Sequence, residues 1–483
     1  MAQSSIIKSN LIFGGAQLIQ MLTIVLRAKL IAVMLGSAGM GLNAILQSVL
    51  HIVNNICACG IMQSSVREIS QACADDQKNA LCAKVHIFRR LLTLSALTGL
   101  AICILGALPL SQMSLGNTSY IASFVVLGFG TMFFTLMQGE TSILQGTHQV
   151  KALALSSIIG SLLSLAVCIP CYYFFALKGV ALSIAIANFV YWLIYLHFTR
   201  KLKFGKSAFS LRQAFVEGKP MIKLGFVLML GSFLVTLFTY LTNVSIRLLG
   251  TINDVGLYQG AAAIATQSIL VVTSVLAADF FPRLSGMANQ LDARNKLVNE
   301  QFNLVVLAIS SIACTVISLA PLVINLLLAP DFMVAAPMLK LMAAALLFRG
   351  AWIVMSYVIL SQGDRRVYFI YDGLLGNGLN YLIGIIAYYW GGLTGIGIAN
   401  VVSSVLVAGL LFTVSKRKYS ITLSRPSCLT FLTAIALVVI TYAVSTIWGY
   451  ASIAILLAAM GWSFSRLNKS YGIVAKVKAL LIK

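Results

Sequence analysis

The chain is 483 residues long, 60% hydrophobic, only 10% charged, and carries a net charge of +22. Soluble domains hold roughly a quarter charged residues, so this composition excludes a soluble globular protein and defines an integral membrane protein. Its apolar runs exceed the ~20 residues needed to cross a hydrocarbon core and lack period-2 alternation, which excludes barrel strands and sets the fold class as an all-α polytopic membrane protein.

Fourteen helical spans are predicted, at 9–35, 41–65, 90–110, 118–140, 152–176, 179–198, 222–248, 256–281, 302–328, 333–361, 367–389, 393–415, 427–445 and 448–465. The first apolar run lacks a small-residue cleavage site followed by a polar segment, so it reads as a retained span. The longest connections, 65–90 and 282–301, read as cytoplasmic surface helices. The last two spans are followed by a basic amphipathic tail over 466–483, suited to the anionic leaflet of a membrane. All but six of the 34 Lys and Arg residues (Arg27, Lys29, Lys178, Arg247, Lys340 and Arg349) fall in the segments that face inward if the N-terminus is cytoplasmic. This one-sided pattern follows the positive-inside rule, places both termini in the cytoplasm, and accounts for the basic excess without nucleic acid. The nine cysteines are scattered, so neither a disulfide framework nor a metal site is expected, and no cofactor is indicated. Cys168-Ile169-Pro170-Cys171 has redox spacing, but it lies inside an apolar run.

Two copies of one unit are legible. The turn Leu35-Gly36-Ser37-Ala38-Gly39-Met40-Gly41-Leu42-Asn43 returns at Leu249-Gly250-Thr251-Ile252-Asn253-Asp254-Val255-Gly256-Leu257-Tyr258; Gln145-Gly146 with Val150 returns as Gln362-Gly363 with Val367; Leu177-Lys178-Gly179-Val180 returns as Leu393-Thr394-Gly395-Ile396. The near-constant offset of these pairs divides the chain into an N-terminal six-helix lobe (1–199), a cytoplasmic linker (200–222), a second six-helix lobe (223–418), and two additional helices with the basic tail (419–483). Six spans per copy make the repeats parallel, and parallel halves around a central cleft suit alternating access.

Charged groups inside spans are costly and mark cavities or partners. The basic candidates are Arg27, Lys29, Arg247, Lys340 and Arg349. Arg27 lies about 26 Å along its helix from Asn10, and Arg349 is the deepest. The competing reading is that such side chains snorkel to the headgroups. Asp372 is read either as one member of an ion pair with the tenth span or as the carrier of a coupling proton. Gln47, His51 and Asn54, spaced four and three apart, share a helical face with Asn55 beside them. This polar stripe, joined by Asn243 on the seventh span, is read as a cavity wall; hydrogen-bonded helix packing is the alternative. No catalytic residues are expected, because a membrane enzyme acting at the outer face would need a substantial outer loop. More embedded positive than negative charge points to an anionic amphiphile as cargo, and an oligosaccharide head needs a hydrated path through hydrocarbon.

The turn at 35–43, the Leu144-Gln145-Gly146 stretch with Val150-Lys151, and Gly250 to Tyr258 followed by Phe281-Pro282-Arg283-Leu284-Ser285 resemble the bacterial polysaccharide flippases of O-antigen type, in the multidrug/oligosaccharidyl-lipid/polysaccharide exporter superfamily. The resemblance covers about residues 9–415. It implies transport of an undecaprenyl-diphosphate-linked oligosaccharide from the cytoplasmic to the outer leaflet of the bacterial inner membrane during lipopolysaccharide or other polysaccharide biosynthesis. It also implies membrane lipids, and polymerase and chain-length proteins, as partners. Two more spans than many O-antigen translocases carry put the identity of the cargo in question; lipid II flippases share the larger number. The rival expectation is a cation-coupled multidrug antiporter, against which stands the absence of a clear intramembrane acid in the first copy.

Overall fold

A computed structural model describes residues 2–74, 78–205, 211–287, 290–447 and 451–471. The fold is all-α, and the described residues contain no strand. The helices are α1 (Ala2–Ala58), α2 (Ile61–Ala74), α3 (Lys78–Leu105), α4 (Ala107–Leu115), α5 (Ile121–Gly146), α6 (Val150–Phe175), α7 (Gly179–Arg200), α8 (Leu211–Leu249), α9 (Ile252–Val275), α10 (Phe281–Gly286), α11 (Leu291–Ser318), α12 (Ala320–Leu327), α13 (Ala336–Ser361), α14 (Arg365–Val367), α15 (Asn377–Tyr419), α16 (Arg425–Ile447) and α17 (Ser452–Tyr471). Linker residues 206–210 and the part of the basic tail beyond 471 lie outside the described residues.

Helices dominate because lipid offers no partner for a backbone N–H or C=O, so each span must bond internally. Ten stretches are long and apolar enough to cross a membrane, and a shorter apolar helix covers Ser452–Arg466. Three of the ten, Gly14–Ala58, Val150–Arg200 and Arg365–Tyr419, run 45, 51 and 55 residues. At 1.5 Å per residue each is more than twice as long as the ~30 Å hydrocarbon core is thick. Each is broken once, at Gly36 (φ 66°, ψ −163°), Ala176 (φ 47°, ψ −129°) and Gly392 (φ 56°, ψ −142°), so each supplies two crossings. The surface helices expected at 65–90 and 282–301 are only partly separate: α2 stands apart, α10 continues α9 through the π-helical segment Leu276–Phe280, and α3 and α11 run unbroken from those connections into the apolar spans.

The chain forms two compact units, 1–256 and 257–483. The order long helix, short helix, long helix in α3–α4–α5 returns in α11–α12–α13, as a duplicated sequence requires. In the first unit α5 packs on α3 and α7, α6 on α1 and α7, and α8 lies against α1, α2 and α3. The sequence division at 222 follows the repeat; compactness follows contact and keeps α8 with the first unit. In the second unit α13 packs on α11 and α15, and α16 and α17 lie on α11. The chain leading into α16 is clamped by two asparagines one helical turn apart. Asn295 donates to the Ser420 carbonyl and accepts from the Thr422 N–H, while Asn299 donates to the Thr422 carbonyl and accepts from the Ser424 N–H.

Two glycine contacts fix the second half of α1 (residues 37–58). A Cβ on Gly41 would fall 2.1 Å from the Ile252 carbonyl oxygen, and one on Gly256 would fall 1.8 Å from that of Ser37. These contacts bring the glycine turn at 36–41 and the one at 250–256 together backbone to backbone. At the other end, a Cβ on Gly60 (φ +68°) would fall 2.0 Å from the Gly225 carbonyl oxygen.

Candidate functional site: a polar cavity in the first unit

The second half of α1, α2, α5 and α8 enclose a cavity of about 350 Å³, within the ~300–1,000 Å³ range of small-ligand sites. His51, Asn54 and Asn55 face it from α1, Gln63 from α2, Gln138, Thr141, Ser142 and Gln145 from α5, and Ser232 and Thr236 from α8. Among the described residues no Asp, Glu, Lys or Arg lines it.

The cavity wall is built in two layers. Asn54, 8% exposed, accepts from Thr135 at 2.9 Å, and Asn55 donates to Thr236 at 3.1 Å, so these two amides tie α1 to α5 and α8. The His51 ring meets Phe134 edge-on at 5.3 Å between centroids and stays accessible on the cavity side. His51, Gln63, Gln138 and Gln145 make no side-chain hydrogen bond to another described residue. His51, Gln63 and Gln145 are exposed and Gln138 is half-buried, so all four keep hydrogen-bonding groups open on the cavity side.

The remaining sequence candidates are dispersed. Asn243, expected in the cavity wall, is instead fully buried and donates to Ser48 at 2.9 Å, a bond that packs α8 on α1. Gln47 is half-buried outside the cavity lining, and Lys29 is half-buried on α1. Arg27 is enclosed by Cys168 and Tyr172 of α6 and Tyr191 of α7, with its Nη2 buried and unpaired. The Arg247 guanidinium lies directly over Gly116, whose φ of +66° and lack of Cβ leave it room, beside a separate cavity of about 200 Å³ with Asn117 and Tyr120. Lys340 donates to the Ser445 carbonyl at 2.9 Å in the last turn of α16, where a cation complements the helix dipole. Arg349 stacks over Trp352 at 5.1 Å and interacts electrostatically with Asp372. The Trp352 indole N–H donates to Oδ1 of Asp372, and Ser356 donates to the same oxygen at 2.5 Å, so the carboxylate is tied to α13. It sits in a π-helical stretch, Tyr368–Gly376, where the ladder is already rearranged. Within the first unit Arg27 and Arg247 have separate surroundings, and within the second Lys340 and Arg349 do.

Two sets of residues escaped the sequence reading. Gln63 and Gln138 carry no mark in the sequence reading and Gln145 stands there only in a repeat signature, although Gln138 and Gln145, seven residues apart on one helix, share a face. The second is an embedded acid in the first copy: Glu140 on α5, 5% exposed, pairs with Arg89 of α3 at 2.6 Å and accepts from Thr199 of α7 at 2.5 Å. The expectation that the first copy lacks an intramembrane acid is thereby corrected. The signal was present in the neighbouring basic pair Arg89-Arg90 at the start of the third span.

Residues 6–288, more than half of the chain, match the family model described as polysaccharide biosynthesis protein. The chain belongs to that family. It is 23% identical over 389 residues to a lipid III flippase of Escherichia coli K12, an alignment that takes in 76% of this chain and 88% of the relative, and equally to one of Shigella flexneri. Among solved structures, a lipid II flippase, MurJ, in an inward closed conformation superposes with a TM-score of 0.72 at 14% identity over 95% of this chain and 99% of its own. An inward-facing multidrug resistance MATE transporter of the same superfamily gives 0.71 at 16% identity over 83% and 94%. The fold is that of the multidrug/oligosaccharidyl-lipid/polysaccharide exporter superfamily, and this member is a multi-pass membrane protein.

Proposed function

We propose that the protein flips an undecaprenyl-diphosphate-linked oligosaccharide, an O-antigen or similar polysaccharide repeat unit, from the cytoplasmic to the outer leaflet of the bacterial inner membrane by alternating access. The observation that carries this reading is the polar cavity of the first unit, whose described lining holds carboxamide and hydroxyl side chains and no charged group. Sugar hydroxyls leaving water lose hydrogen bonds at several kcal/mol each unless new partners replace them, and amide and hydroxyl side chains supply both donors and acceptors. The family match and the lipid III flippase relatives support the same cargo class. Arg27, whose Nη2 is buried without a partner, and Arg247, beside its own small cavity, are the candidates for the diphosphate within the first unit, and Arg349 within the second; Lys340 and Asn243 serve packing. Asp372, held by Trp352 and Ser356, takes the structural rather than the coupling role. Both termini are placed in the cytoplasm by the distribution of Lys and Arg, and polymerase and chain-length proteins are the partners such a cargo would need.

Drug extrusion is the weaker reading. A cationic drug calls for a free acid, and Glu140 is already neutralised by Arg89. The test is reconstitution into proteoliposomes with a fluorescent undecaprenyl-diphosphate oligosaccharide and, separately, an organic cation. Transbilayer movement of the lipid is expected; movement of the cation against a gradient with the lipid left in place would overturn the reading.

A further inference from the structure

We infer that a cavity beside the start of α16 holds the headgroup of a zwitterionic membrane phospholipid, one that carries a primary ammonium next to its phosphodiester. The cavity measures about 430 Å³ and lies in the second unit. Lys296, Glu300 and three asparagines line it from α11, and Thr422 and Ser424 from the chain entering α16. The asparagines, Asn295, Asn299 and Asn303, follow at intervals of four and so share one face of α11. The first two spend both ends of their carboxamides on the 420–424 segment. That segment turns into α16 at Arg425, and the third rung is left over. Asn303 makes no side-chain hydrogen bond to another described residue, and its Oδ1 is buried. A buried acceptor without a donor is costly, so the ligand has to bring an N–H or O–H to it. A bare phosphate brings none.

Place and charge narrow the ligand further. The polar start of α11 gives way to its apolar span at Phe302, whose ring packs on Phe431 of α16 at 5.5 Å between centroids, so the cavity opens at the depth of headgroups. The distribution of Lys and Arg sets this end at the cytoplasmic leaflet. Just beyond it, Leu429 and Leu432 of α16 are 57% and 61% exposed, an apolar wall for acyl chains. Lys296 and Glu300, four residues apart on α11, give the lining one fixed charge of each sign. An ion of either sign alone therefore meets a like charge. A phosphoethanolamine group carries both, with its phosphate toward Lys296 and the Thr422 hydroxyl and its ammonium toward Glu300 and Oδ1 of Asn303. Three N–H groups on one ammonium serve both acceptors, and the several acceptor sites of a carboxylate let Glu300 keep its other interactions. Lipid held there joins α11 to the start of α16.

The test takes the full chain in detergent, stripped of lipid, and adds three phospholipids with the same acyl chains: phosphatidylethanolamine, phosphatidylcholine, whose ammonium has no N–H, and phosphatidylglycerol, which has no ammonium. Retained lipid is read by native mass spectrometry and the unfolding midpoint by a thermal scan. Phosphatidylethanolamine should be retained roughly tenfold better than either of the others, the factor of one hydrogen bond from a charged donor. It should also raise the midpoint most, since a ligand that binds only the folded state stabilises it. Asn303→Leu should remove that preference and leave the lipid-free midpoint no lower than wild type, because it also removes the unsatisfied acceptor. Glu300→Gln should weaken the preference through the lost charge. Retention of phosphatidylcholine or phosphatidylglycerol at the same level or above, or an Asn303→Leu chain that still prefers the ethanolamine lipid, would overturn the inference.

Discussion

Two groups of polar residues lie on or beside the apolar helices, one in each unit, and their hydrogen-bonding capacity is spent differently. In the second unit the Asp372 carboxylate takes the Trp352 and Ser356 donors, Arg349 covers the Trp352 ring, and Lys340 caps α16. In the first unit His51, Gln63, Gln138 and Gln145 face a cavity with no partner among the described residues. A polar residue inside a membrane has to be satisfied; where the fold does it, the residue holds helices together, and where the fold does not, the partner comes from outside. Depth and charge alone, the criteria available from sequence, rank Arg349 and Asp372 above the glutamines, and internal partners reverse that order.

The comparison breaks first if the frame of the cavity is moved. Gly256→Ala sets a methyl 1.8 Å from the Ser37 carbonyl oxygen, a backbone group that cannot swing aside. It should cost about 3 kcal/mol or more and abolish flipping, as read by thermal unfolding in detergent and by the proteoliposome assay. Gly231→Ala, with open space around it, should leave both unchanged. Next in size is Arg89→Ala, which leaves the buried Glu140 carboxylate uncompensated. About 3 kcal/mol should be lost, and Arg89→Met with Glu140→Leu should recover most of it. Asp372→Ala should cost about 1–3 kcal/mol by stranding the Trp352 and Ser356 donors, yet leave flipping per folded molecule close to wild type. A loss of flipping without a loss of stability there would place Asp372 in the coupling machinery and blur the contrast.

The smallest effect lies outside the spans, at Asp364. Its hydrogen bond from Lys418 comes first among the causes that hold the carboxyl below its ordinary value, with the Val367 N–H and the Tyr419 hydroxyl adding to it. Because the folded value is depressed, the contribution is present above the unfolded carboxylate range, near pH 4, and is lost as pH falls through the folded value. A shallow decline in thermal midpoint below pH 4 should therefore flatten in Asp364→Asn.

The architecture was largely legible because a bilayer leaves a chain few choices: length and hydropathy marked the spans, and glycines marked the breaks at 36 and 392. Continuity was not legible. The polar start of α11, at Leu291-Asp292-Ala293-Arg294, reads as a surface segment, yet its helix runs on into the span since nothing at 302 stops it. Of the stripe that helical spacing marks, Gln47, His51 and Asn54, the last two line the cavity with the adjacent Asn55, and Gln47 does not. Gln145 was hidden in a repeat marker. Asn243 looked the same as its neighbours in sequence, and only the nearby Ser48 hydroxyl separates a packing bond from a cavity wall. Whether an embedded polar group already has a partner depends on helices far away in sequence, which periodicity does not report.

The most direct test of the account fills the cavity. Ser232→Trp places an indole in it from α8, at a position whose own hydroxyl bonds only the Met229 carbonyl of the same helix. Flipping of a lipid-linked oligosaccharide by this variant, reconstituted at matched amounts and with an unchanged unfolding midpoint, should fall to the level of protein-free vesicles. Flipping at the wild-type rate with the cavity filled would contradict the claim that the sugar head passes through it.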